Sequence, residues 1–248
     1  MQKLPVGVQD FKKLRSEGCL YVDKTEYYYK LITGGDYYFI SRPRRFGKSL
    51  MLSTIRYLFQ GEKDLFRGLW IYDRWDWGER YPVVSLDMGE LNLKGGEDLK
   101  KRIIHKLRNV VDLLNLDIEM SEYAQDDYSI LFSDVILRAH EKHNKQVVVL
   151  IDEYDAPITN NLTDVEKAKE IRDILRDFYV QIKRNDEHIK FCLFTGVTKF
   201  SKAGVFSALN NLYDITFDTR YATMLGITEE ELESYFRPYI EELARKQN

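Results

Sequence analysis

The chain is poor in the residues that staple or metallate a fold: its 248 residues include 2 Cys and 4 His. Cys19 and Cys192 lie far apart with no C-x-x-C spacing, which argues against a disulfide framework and a zinc site. His140 and His143 are close in sequence but lack the further ligands a metal needs, and His105 and His188 are scattered. No apolar run reaches the length of a membrane span or a signal peptide, so the expectation is a cytoplasmic protein in a reducing compartment. A basic excess is also missing. The formal net charge is -3, so no global field favours nucleic acid. Repeats and low-complexity tracts are absent, and neither Gly95-Gly96 nor Asn160-Asn161 reads as a domain linker. The length suffices for one large α/β core.

What the chain does contain is Phe39-Ile-Ser-Arg-Pro-Arg-Arg-Phe-Gly-Lys-Ser-Leu50. The aromatic run Tyr37 to Ile40 predicts a strand, and Leu50, Met51, Ile55, Leu58 and Phe59 fall at helical spacing before Gly61. Strand, Gly-Lys-Ser turn and helix together read as a phosphate-binding loop. Successive backbone N–H groups and a helix N-terminus offer partial positive charge to anions, and a lysine adds a full one. Lys48 is therefore the expected β/γ-phosphate contact and Ser49 the expected magnesium ligand, with Gly47 as the second glycine of the pattern. Arg42 stands where that pattern has its first glycine. The predicted cradle is Arg42, Pro43, Arg44, Arg45, Phe46, Gly47, Lys48, Ser49 and Leu50. Of its three arginines, Arg45 lies nearest the turn and is the first choice for a guanidinium acting on the transferring phosphoryl group. The competing reading of each is an arginine turned to solvent or paired with a carboxylate such as Asp23.

A second motif, Val147-Val-Val-Leu-Ile-Asp-Glu153, is a buried strand ending in two carboxylates. Asp152 suits magnesium orientation and Glu153 suits polarisation of an attacking water. The interval from Lys48 leaves room for another strand, Pro82 to Asp87, and for a helix carrying Leu99, Ile103, Leu107, Val110, Val111 and Leu114 on one face. Phe191 to Phe194 predicts a further strand, and Thr195, with Thr198 second, sits where a hydroxyl would meet a γ-phosphate or the attacking water. An ordinary strand-terminal threonine bonding local backbone is the alternative. Thr163-x-x-Glu166 predicts the start of a helix that buries Ile171, Ile174, Leu175, Phe178 and Ile182. Thr228-x-x-Glu231 predicts a capping box opening a helix to about Leu243.

Leu4-Pro-Val-Gly-Val-Gln-Asp-Phe11, Tyr21-Val-Asp-Lys-Thr25, Ser41-Arg-Pro-Arg-Arg-Phe-Gly-Lys-Ser49, Leu150-Ile-Asp-Glu-Tyr-Asp-Ala-Pro157 and Phe194-Thr-Gly196 occur in one order. In this the chain resembles the AAA-ATPase-like domain of bacterial P-loop proteins, in which an arginine also replaces the first glycine. The resemblance implies a three-layer α/β P-loop NTPase sandwich with a mainly parallel sheet, of the additional-strand, catalytic-glutamate type. It also implies ATP and Mg2+ as cofactors and, in many members, a C-terminal domain similar to PD-(D/E)XK nucleases. The expected organisation is residues 1–226 as the P-loop domain and 227–248 as a helical appendage or the start of a following domain, with a homo-oligomer conceivable. The expected function is an ATP-binding, ATP-hydrolysing domain that controls an attached effector or assembly. The alternatives are a non-hydrolysing nucleotide switch or scaffold, and a small-molecule kinase with Asp87 or Asp155 as base.

Overall fold

A computed structural model describes residues 1–89, 93–117, 127–198, 204–206, 209 and 211–247. In chain order these form α1 (Phe11–Ser16), α2 (Thr25–Gly34), β1 (Tyr37–Ser41), α3 (Lys48–Phe59), β2 (Val83–Asp87), α4 (Gly96–Leu114) and α5 (Tyr128–His143). There follow β3 (Val147–Asp152), α6 (Ala156–Thr159), α7 (Val165–Arg184), β4 (Ile189–Gly196), β5 (Tyr213–Asp214) and α8 (Glu229–Gln247). The strands make one sheet in the order β2-β3-β4-β1-β5, with every pair parallel. Parallel strands need helical crossovers, and the helices between strands supply them.

Alternation along the strands creates two apolar layers. Val147, Val149 and Ile151 of β3, with Cys192 and Phe194 of β4, face the layer filled by α4, α5 and α7. Val148, Leu150, Phe191 and Leu193 face the layer filled by α1, α2 and α3. The expected helical faces are buried: Leu99, Ile103, Leu107 and Val110 on α4, and Ile171, Ile174, Leu175, Phe178 and Ile182 on α7. The start of α7 differs by one residue from expectation. Asp164, not Thr163, is the N-cap, its carboxylate accepting the Lys167 N–H, because a carboxylate also complements the positive end of the helix.

Two polar ties fix the ends of the chain onto this sandwich. Asp10 caps α1 by accepting the Lys13 N–H at 2.8 Å, and its Oδ2 accepts from Ser53, Arg56 and Tyr57 on α3. α3 is thereby braced from outside the sheet. Thr228 and Glu231 form the expected capping box, the Thr228 N–H donating to Glu231 at 2.9 Å and the Glu231 N–H to the Thr228 hydroxyl at 3.2 Å. Glu231 also pairs with Lys24, which is buried and donates to the Thr223 carbonyl at 2.7 Å. Removing one partner of a buried ion pair strands the other charge, a cost on the order of 3 kcal/mol. Lys24→Met is accordingly expected to lower the melting temperature by roughly 6–12 °C in scanning calorimetry; a shift below about 2 °C would count against the pair as the anchor of α8. Among the described residues no helix is long and apolar enough to cross a membrane.

Candidate functional site

The sheet register brings the sequence motifs to one edge. Ser41 of β1 lies beside Gly196 of β4, Ile151 of β3 lies beside Phe194, and Asp87 of β2 lies beside Asp152. These carboxyl ends form a row, the place where open α/β sheets bind ligands. The Arg42 N–H still donates to the Gly196 carbonyl at 3.1 Å, and the chain then leaves the sheet as the loop. Arg45 and Gly47 take left-handed φ values of 67° and 87°. A side chain at Gly47 would meet no atom within 4 Å, so the demand for glycine there is conformational rather than steric. The turn ends in α3, whose first-turn amides have no carbonyl to bond within the helix.

Lys48 is the first residue of α3 and is 5% exposed. Its ammonium donates to the Arg42 and Pro43 carbonyls, both at 3.0 Å, so the lysine holds the loop to the helix. Burial lowers its pKa, opposed by the negative fields of Asp152, Glu153 and Asp155. Ser49, half-buried, follows on the same first turn.

Asp152 is 9% exposed and uses Oδ1 twice, accepting the Thr195 hydroxyl and the Glu153 N–H. Oδ2 makes no hydrogen bond to the described residues. Glu153 adopts a left-handed φ of 49°, a strained conformation for a side chain with Cβ. Burial raises its pKa, Asp152 and Asp87 raise it further, and Lys48 and Arg44 oppose them. Asp155 is 1% exposed and accepts from the Val197 and Thr198 N–H groups and the Thr198 hydroxyl. It fastens the end of β4 and is spent, so it offers no free base to a kinase acceptor. The hydroxyls of both Thr195 and Thr198, expected to face a phosphate, are donated to carboxylates; Thr195 acts on the site by fixing Asp152.

The arginines divide. The Arg42 guanidinium donates to the Ser41 carbonyl at 3.0 Å and the Thr216 carbonyl at 2.6 Å, bracing the loop against the chain after β5. Arg44 is the one whose charge is felt at both Lys48 and Glu153. Arg45 instead lines a cavity of about 320 Å³ with Phe46, Gly47 and Leu50. The other walls are mainly apolar, with Lys24 and the Tyr21 and Tyr28 rings among them, and come from both ends of the chain, including Pro5, Val8, Leu225 and Phe236. No local pattern marks those walls, since they converge only in three dimensions. Gly89 was also absent from the sequence reading, although a glycine two residues beyond a strand ending in Asp87 is a readable signal of close approach.

A family model described as predicted AAA-ATPase matches residues 5–206, a span that includes the loop, the paired carboxylates and the β4 threonines. The chain belongs to the predicted AAA-ATPase family. This predicted AAA-ATPase is also similar to a protein of Azotobacter chroococcum mcd 1, described as an uncharacterized protein in the vnfD 5′ region, at 44% identity over 247 residues. The match covers 98% of the present chain and 46% of the relative, so the predicted AAA-ATPase spans about half the relative's length. No solved structure matches it.

Proposed function

We propose that this chain binds ATP at the carboxyl edge of the sheet and hydrolyses it, and that the nucleotide cycle controls an attached effector or assembly. The observation that carries the reading is the alignment of a buried Lys48, opening a helix after β1, with the Asp152-Glu153 pair ending β3. The position of β4 between β1 and β3 supports the additional-strand, catalytic-glutamate type of P-loop fold. In this reading Lys48 and the first-turn amides of α3 hold the β and γ phosphates. Arg44 supplies a second cation near the γ-phosphate, and Arg42 and Pro43 shape the loop. Glu153 takes the proton of the attacking water, a task suited to a carboxylate whose proton affinity is raised by burial. Thr195 keeps Asp152 oriented.

Mg2+ fits the donors present. Asp152 has an oxygen that makes no hydrogen bond to the described residues, Ser49 next to Lys48 carries a hydroxyl, and both are hard oxygen donors. Magnesium is held in such sites mainly by water and phosphate oxygens, with one or two protein oxygens. When bound, Mg2+ would neutralise charge on the phosphates. The mainly apolar cavity beside Gly47 suits the adenine ring, with Phe46 and Leu50 of the loop and Leu225 and Phe236 of the later chain among its walls. By the family resemblance, a nuclease-like domain attached to this one is the candidate effector.

The direct test measures magnesium-dependent ATP binding and phosphate release side by side; a folded chain that binds no nucleotide sinks the proposal. The base pocket has its own test. Phe46→Ala removes one aromatic wall, and the lost contact of about 1.4 kcal/mol is expected to weaken ATP binding about tenfold. Binding of inorganic tripolyphosphate, which has no base, is expected to be unchanged. Equal loss for both ligands would show that Phe46 supports only the loop.

A further inference from the structure

A Cβ built on Gly89 would lie 2.1 Å from Glu153 Oε2, 2.8 Å from its Cδ and 3.1 Å from Asp87 Oδ1. The carboxylate therefore occupies the space that any other residue at position 89 would fill. Gly89 is itself held there, since its N–H donates to Asp87 Oδ1 at 2.8 Å. The preceding Met88 N–H donates to the Asp152 carbonyl at 2.9 Å, extending the β2–β3 ladder past the strand ends. The backbone at Met88 and Gly89 is thus fixed, and Glu153, with a left-handed φ of 49°, places its carboxylate over Gly89.

We infer that Gly89 is a positioning residue: its missing side chain, held in place by Asp87, is the seat that sets where the Glu153 carboxylate stands. The role rests on the hydrolytic function proposed for Glu153. Gly89 does not need glycine for its backbone, because its φ lies outside the left-handed range. Substitution by alanine thus changes space and little else. An added methyl group must push the carboxylate aside, and a general base displaced by about 1 Å loses on the order of 10²-fold in rate.

Gly89→Ala is expected to lower kcat for phosphate release at least tenfold while leaving the Kd for ATP within twofold. Gly95→Ala, where an added Cβ meets nothing within 4 Å, serves as the control and is expected to change neither. A double-mutant cycle separates contact from general damage. In the Glu153→Ala background the seat is empty, so adding Gly89→Ala should cause no further change in melting temperature, whereas in the unmodified chain it lowers it. Normal kcat in Gly89→Ala, or additive effects on melting, overturns the inference. Absence of phosphate release from the unmodified chain defeats the hydrolytic reading and the positioning role with it. Release that Gly89→Ala leaves untouched defeats the positioning role alone.

Discussion

Lys48→Ala is expected to weaken Mg-ATP binding by about two orders of magnitude while the chain stays folded. A charge-assisted bond contributes about 1.5–3 kcal/mol, and the upper part of that range corresponds to about a hundredfold in Kd. The ammonium is already buried, so little desolvation remains to oppose its contact with phosphate. The same group holds the Arg42 and Pro43 carbonyls, and its loss loosens the cradle as well as removing a charge. Lys48→Arg is expected to fail too, because a planar fork does not fit where a compact ammonium meets two converging carbonyls. Titration with a fluorescent nucleotide, alongside circular dichroism, decides it. Unimpaired binding in a folded Lys48→Ala chain would remove the loop from the nucleotide site.

The second large effect is on chemistry rather than binding. Glu153→Gln is expected to reduce phosphate release by roughly 10²–10⁴-fold, the range attributed to general base catalysis, and to leave ATP affinity nearly unchanged. The amide keeps the size of the side chain and so its fit over Gly89, but it cannot take a proton. Removing a negative charge beside Asp152 and Asp87 also relieves repulsion, so affinity is not expected to fall. Single-turnover phosphate release at saturating ATP reads the step directly. If release persists at the unmodified rate, Glu153 is not the base, and the chain acts as a switch or uses another group.

The contrast between the two substitutions rests on how far the site could be read from residue order. Lys48, Ser49, Asp152 and Glu153 are picked out by short motifs, and the structure sets Lys48 at the start of α3 and Asp152 at the end of β3. The two apolar layers were legible for a related reason: alternation along β3 and β4 and the helical faces of α4 and α7 repeat within single elements. Other assignments needed distance. Proximity along the chain favoured Arg45, which lines the cavity, whereas Arg44 is the arginine whose charge is felt at Glu153. Thr195 lies near the end of β4 and Thr198 just beyond it, but which partner takes each hydroxyl depends on β3 and the turn after it lying alongside. Lys24 and Glu231 are remote in sequence, and nothing local to either announces the other.

Residue order by itself determined β1 to β4, the buried faces of α3, α4 and α7, the loop that opens α3 and the carboxylates at the end of β3, since each follows from local conformational preference and periodic burial. The strand order, the row of carboxyl ends, the cavity shared by both chain ends and the fit of Glu153 over Gly89 were decided only by the tertiary structure. Those features are set by which elements pack side by side, and close packing between remote segments leaves no periodic trace in either of them.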